Sequence, residues 1–328
     1  MTWLVWRQYR AQGAIASVLL AAAAAVILAD GFAIASHWHS ILVTCAGNSA
    51  CLQQQAPLVN GVVSDLPYLS LMLPAVLGML WGAPLVAHEL ESRTSDFAWA
   101  QSITRTRWLT VKAGWLLLAA AACGGALAAL TTWWSGPINA LSASAFEPGQ
   151  FDTQGIVPVG YAVFAMALGI VAGTVARRTL PAIAVTLGGF IALRLVISDV
   201  VRQHYMAAVT TYYNVTGSFT PPGSAWVFSQ GAVSKTGQVV PAGWGELEPA
   251  LPASCQKLLP GNGGPVPKSG SPLSAVFSCM QAHGWRGFAT YQPATRYWPF
   301  QGIETGIYLL LAAALIAVAF LILRRRDA

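Results

Sequence analysis

The residues best suited to phosphoryl, hydrolytic or metal chemistry are few in this chain, and their spacing is wrong for each. "GNGGPVPKSG" (261–270) is the nearest thing to a phosphate loop. Such a loop needs glycine before its lysine so that backbone N–H groups can close on the phosphates. Pro267 stands before Lys268 instead, and proline has no N–H to offer. His37 and His39 flank Trp38 without a third ligand near them, short of the four that a structural zinc requires. The chain has no HExxH pair and no glycine-rich dinucleotide turn. His88 and His204 are the polar residues that an intramembrane enzyme would have to use, and neither has an evident nucleophile to activate. The expectation is a chain that is not an enzyme and itself binds neither cofactor nor metal.

The elements that would position these residues are dictated by composition. Of 328 residues, 55% are hydrophobic and only 9% charged, and the mean hydropathy is +0.55. A soluble domain carries about a quarter charged residues. Apolar runs near 12–36, 66–88, 110–135, 156–176, 180–201 and 303–323 each match the ~20 residues needed to cross a hydrocarbon core. The first is too long for a cleavable signal and has no Ala-x-Ala site after it. The net charge of +6 lies at the ends of these runs, the pattern of a membrane protein rather than a nucleic-acid binder.

Six spans with a cytoplasmic start put Arg7, Arg10, Arg93, Arg105, Arg107, Lys112, Arg177, Arg178, Arg324, Arg325 and Arg326 inside, whereas the segments 37–65 and 136–155 contain no Lys or Arg. This is the positive-inside bias. Arg202, Lys235, Lys257, Lys268, Arg286 and Arg296 fall in the stretch 202–300, long enough to translocate regardless of charge. Trp38, Trp133, Trp134 and Trp298 sit at outer span ends, and Trp3, Trp6 and Trp108 at inner ones, as indole rings prefer. The expected fold is an all-α polytopic membrane protein. It has six transmembrane helices, both termini in the cytoplasm, and a large extracytoplasmic segment between helices five and six, built as a cap of turns and short helices over 202–300.

Four of the five cysteines, Cys45, Cys51, Cys255 and Cys279, map outside. An even number there suits an oxidising compartment. Of the three possible connectivities, Cys45–Cys51 with Cys255–Cys279 is the economical one; unpaired thiols are the alternative.

Three further sets of residues are candidates for function. The loop 89–109 joins spans two and three. In it Thr94 or Ser95 can cap a short helix from Asp96, with Phe97, Ala100 and Ile103 on one face. Arg194 lies within span five, and Asp30 and Glu304 in the outer parts of spans one and six. Charges at such depth are costly and usually paired, so Arg194 is expected to pair with Asp30 or Glu304; snorkelling to the headgroups is the alternative. Met72, Met79 and Trp81 on span two could line an adaptable apolar path, or simply pack. The pairs Gly78/Gly82 and Gly169/Gly173 have GxxxG spacing, which allows close helix approach, within the chain sooner than between chains.

The loop "HELESRT…WAQSITRTRW", the N-terminal "MTWLVWRQYR", the "RLVISDVVRQHY" end of span five and "YQPATRYWPFQGIETGIYL" before a last span ending "RRRDA" together resemble actinobacterial ABC type-2 permeases over nearly the whole chain. The resemblance implies a single permease domain over 1–328. It also implies an interfacial N-terminal helix at "TWLVWRQYR" and a coupling helix near 94–104. Glu89, Glu91, Arg93, Thr94, Phe97, Trp99, Gln101, Arg105 and Arg107 would then face an ATPase. The implied partners are two copies of an ABC ATPase subunit, which hold ATP and Mg, a second permease copy, and the lipids of a bacterial plasma membrane. The expected function is export of an amphiphilic or hydrophobic cargo (drug, peptide or lipid) by alternating access. The alternative is a non-transporting scaffold, sensor or immunity protein whose cap binds a ligand.

Overall fold

The computed structural model describes residues 2–45, 51, 66–91, 104–139, 144–217, 225–241, 248–259 and 274–325. Expected to form one domain, the chain divides into two compact units. The first comprises Met1–Ser142, Glu147–Tyr205 and Trp298–Ala328; the second comprises Ala143–Phe146 and Met206–Tyr297.

The first unit is helical. Its main elements are α1 (Thr2–Cys45), α2 (Leu66–Leu77) running through a π-turn (Gly78–Gly82) into α3 (Ala83–Glu91), α4 (Arg105–Trp134) and α5 (Val157–Ala176). Next comes α6 (Thr179–Val196), which continues through a second π-turn (Ile197–Val201) into a 3₁₀ turn (Arg202–His204). Six helices among the described residues are long and apolar enough to cross a membrane; the sixth window is Ala294–Arg324. The N-terminal segment differs from the separate interfacial helix expected. Residues 2–45 form one unbroken helix of 44 residues, about 66 Å at 1.5 Å per residue and twice the hydrocarbon thickness. No proline interrupts it, and the alanine run 21–25 favours continuation.

Spans two and four form the interior, each with 67% of its apolar window buried, against 12–28% for the others. The reason is their glycines. A Cβ on Gly169 would stand 2.5 Å from the carbonyl oxygen of Gly78, and one on Gly82 2.7 Å from that of Met166. Gly78 and Gly173 likewise abut the carbonyls of Ala165 and Ala83. Both GxxxG pairs are thus consumed in one seam inside the chain, where backbones touch and dispersion contacts replace side-chain bulk. Around it Leu77, Trp81, Leu85, Trp108, Leu109 and Met166 pack as an apolar core.

The second unit corrects the all-α expectation. It holds β1 (Val209–Asn214), β2 (Trp226–Val233), β3 (Val239–Pro241), α7 (Ser274–Ala282) and β4 (Arg286–Gln292), before α8 (Tyr297–Arg325) closes the chain. The strands make one antiparallel sheet in the order β1-β4-β2-β3, instead of turns and short helices alone. "VTTYYN" alternates half-buried and exposed positions, as a strand with one covered face must. Val215, Val240, Cys255, Val276, Met280 and Trp285 form its core. Phe146, far away in sequence, stacks on Trp226 with ring centroids 5.8 Å apart. The disulfides are Cys45–Cys51 and Cys255–Cys279.

Candidate functional site

Two places in the first unit concentrate polar chemistry. One is buried, and begins with Asp152, set just after a single helical turn (Pro148–Phe151) and 3% exposed. Arg194 on α6 donates from Nη2 to Asp152 Oδ2 at 2.6 Å, and from Nη1 to the Leu71 carbonyl at 3.1 Å. That carbonyl lies on α2, so the same guanidinium that pairs with Asp152 also reaches span two. Arg202 donates from Nε and Nη2 to the two Glu304 oxygens, both at 2.8 Å, and from Nη2 also to Asp152 Oδ1. The Tyr161 hydroxyl lies 2.6 Å from Glu304 Oε1 and 3.0 Å from Asp152 Oδ1, and donates to one of them at a time. Tyr205 donates to Glu304 Oε2 at 3.1 Å.

Two guanidiniums thus face two carboxylates. The charges balance, and the bidentate Arg202–Glu304 fork is the strongest geometry available to such a pair. Burying any one of them alone would be prohibitive. The guanidiniums also lie over aromatic faces, Arg194 on Tyr161 at 4.9 Å and Arg202 on Phe151 at 4.3 Å. Gln301 on α8 reinforces the join. It accepts from the backbone N–H groups of Ile156 and Val157 and donates to the Phe151 carbonyl. Gly155 beside it has φ +69°, and a Cβ there would meet the Gln301 amide at 2.6 Å, so only glycine fits. A cavity of about 20 Å³, bordered by Thr131, Asp152, Thr153, Pro74 and Tyr161, has room for one water. With its carboxylates committed to arginine, the cluster has no free base or nucleophile. It joins spans two, four, five and six.

This arrangement differs from the pairing expected for Arg194. Its carboxylate partner is Asp152, neither Asp30 nor Glu304; Glu304 belongs to Arg202, and the Asp30 side chain lies outside the described residues. Arg202, read as a loop charge, is 1% exposed. Both were missed because a charge within a turn of the end of an apolar run looks interfacial. Regular helical spacing also hides Arg202. Residues 194 and 202 are eight apart, about 80° off one another on a regular helix at 100° per residue. The π-turn between them inserts one extra residue and brings Arg202 to within about 20° of the Arg194 face.

The second polar place is the end of span two. Glu91, the last residue of α3, accepts from the backbone N–H of Thr179 at 3.1 Å and from its hydroxyl at 2.9 Å. The hydrogen bonds from the Thr179 side chain and backbone hold its carboxyl below the ordinary glutamate range, with His88 and Arg178 adding to the effect. The contact therefore persists above that range and is lost as acidification passes through the lowered value. Thr104 caps α4, accepting from the Arg107 N–H. Buried Lys112 lies 4.6 Å over the Trp108 ring. Of the other candidate loop residues, Arg93, Thr94, Phe97, Trp99 and Gln101 lie outside the described residues, as do the side chains of Glu89 and Arg105. Met72 is exposed, Met79 half-buried, and Trp81 packed in the core. Cys255, Cys279 and His283 lie within 4.8 Å of one another, but both sulfurs are spent in the disulfide, leaving a metal one imidazole.

A protein-family model described as "ABC-2 membrane transporter related" matches residues 17–202, more than half the chain. The match takes in spans one to five with Glu91, Asp152, Arg194 and Arg202, and stops short of Glu304. No curated protein and no solved structure matches.

Proposed function

Because the chain belongs to the ABC-2 membrane transporter related family, a family of multi-pass membrane transport subunits, we propose that it is the permease half of an ATP-driven exporter whose ATPase is another polypeptide. The observation that carries the reading is where the matched residues lie. They run through span two, the loop 89–109 and span five, which are the parts that would receive an ATPase and move. Two ATPase copies, with their ATP and Mg, would engage that loop in a dimer of permeases. Their closure would tilt the spans and turn a central path from the inner leaflet to the exterior. Both termini face the cytoplasm in this reading, since the segments 37–65 and 136–155 lack Lys and Arg. An amphiphilic or hydrophobic cargo suits a first unit in which four of the five described buried charges, Asp152, Arg194, Arg202 and Glu304, are tied to one another.

The test is co-expression with an ABC ATPase, sought first among the genes neighbouring its own. The expected result is co-purification, with vanadate-sensitive ATP hydrolysis that rises when the membrane subunit is present. An ATPase that neither binds nor responds would overturn the reading. One observation favours a second reading, a sensor or immunity protein: the disulfide-stapled sheet of residues 206–297 lies outside the matched region and is a compact unit by itself. Under that reading the chain would work without any ATPase.

A further inference from the structure

The Glu91–Thr179 contact is unusual in what it joins. A helix start leaves N–H groups without intrahelical partners, and these are normally met by the side chain of the N-cap residue. At the start of α6 the N-cap residue is Arg178, which makes no side-chain cap. The acceptor comes instead from the end of another span, eighty-eight residues earlier, and it satisfies both the Thr179 backbone N–H and its hydroxyl.

The surroundings make this contact a mechanical one. Ala83, Ala87, Ala172 and Ala182 are buried together just inside it, so α3, α5 and α6 meet there through small side chains. Spans four and five are joined by Arg177 and Arg178 alone, with Arg177 held at φ 53°, leaving no slack between them. At its far end the same helix is gripped by the buried Arg194 and Arg202 pairs. Span five is therefore held at two points of opposite kind. One is buried and charge-neutralised; the other is a single carboxylate open to solvent, easily made and broken.

We propose that Glu91 is a positioning residue that makes the end of span two and the start of span five move together, by capping α6 at Thr179. The inference rests on the permease reading and adds the residue through which span two reaches span five. Glu91 then faces its own chain rather than only the ATPase, and the signal enters span five at its first turn.

Hydrogen–deuterium exchange of the full permease–ATPase complex in lipid nanodiscs tests this, with and without ATP plus vanadate. In the unaltered protein, trapping is expected to change exchange over residues 179–186. Glu91→Ala should cut that nucleotide-dependent change at least several-fold. Glu91→Gln, which keeps an acceptor oxygen, should retain most of it. Thr179→Val removes the hydroxyl donor while leaving Glu91 in place, and should also reduce the change; this separates the contact with span five from any contact of Glu91 with the ATPase. Exchange over 194–202 without nucleotide should stay as in the unaltered protein in all three variants. If Glu91→Ala and Thr179→Val complexes trap nucleotide and still show the full change over 179–186, this inference is wrong and the permease reading stands. If the unaltered protein carries no ATPase and traps nothing, the permease reading falls and takes this inference with it.

Discussion

At the scale of single residues, the buried cluster turns on Arg202, because it is the one cation of the cluster that pairs with both carboxylates. Removing it leaves Asp152 with Arg194 and the Tyr161 hydroxyl, and Glu304 with only hydroxyls. Breaking a buried pair from one side costs about 3–5 kcal/mol, since the remaining charge stays desolvated. Arg202→Ala is therefore expected to lower the thermal unfolding midpoint sharply in detergent. Combining it with Glu304→Gln should cost about 0.5–3 kcal/mol less than the sum of the two single changes. Additive losses in that double-mutant cycle would mean the two side chains do not act as a pair. Gln301 and Gly155 belong to the same cluster, but their contribution is geometric. They fix the turn that presents Asp152, and carry no charge themselves.

At the scale of elements, the seam between spans two and four is set by glycine, and substitution there sets two effects in opposition. Alanine in place of helical glycine favours the helix by about 1 kcal/mol. At Gly173 the added methyl would run into the Ala83 carbonyl, and overpacking of this kind costs about 1–3 kcal/mol. Gly173→Ala should therefore destabilise. Gly114→Ala on α4, where a Cβ meets nothing within 4 Å, should be neutral or stabilising. Thermal melts of the two variants side by side check the contrast, and equal effects would refute the seam. The six spans and the intrachain use of these glycines were legible in the sequence, because apolar length and GxxxG spacing are direct statements of physics. Arg202 was not, since placing it beside Arg194 needs the one-residue offset that a π-turn introduces, which no periodicity announces; Asp152 was not, since it sits after a single helical turn between spans. The sheet was hidden for another reason. Its strands are three to eight residues long and separated by glycine- and proline-rich stretches, so alternation has little length in which to show.

At the scale of the whole molecule, the two units rest on different forces. The helical one depends on backbone contact and a neutralised charge cluster. The other depends on a small apolar core and the Cys255–Cys279 bond, whose partners are 24 residues apart. Closing a loop of that size contributes about 3 kcal/mol. Cys279→Ser should make residues 248–297 markedly more sensitive to protease while the helical unit keeps its melting behaviour, and Cys45→Ser should leave 248–297 untouched. Resistance of 248–297 in Cys279→Ser would show that the core suffices alone. The strand order β1-β4-β2-β3 carries one more consequence. β4 is the last strand to leave the ribosome, yet it lies between β1 and β2 and supplies the register of both. Until residue 292 has been synthesised, β1 has no neighbour and β2 only the three-residue β3. The fold of this unit is thus timed by translation: the sheet closes only once its final strand is complete, so a chain truncated before β4 yields no finished sheet.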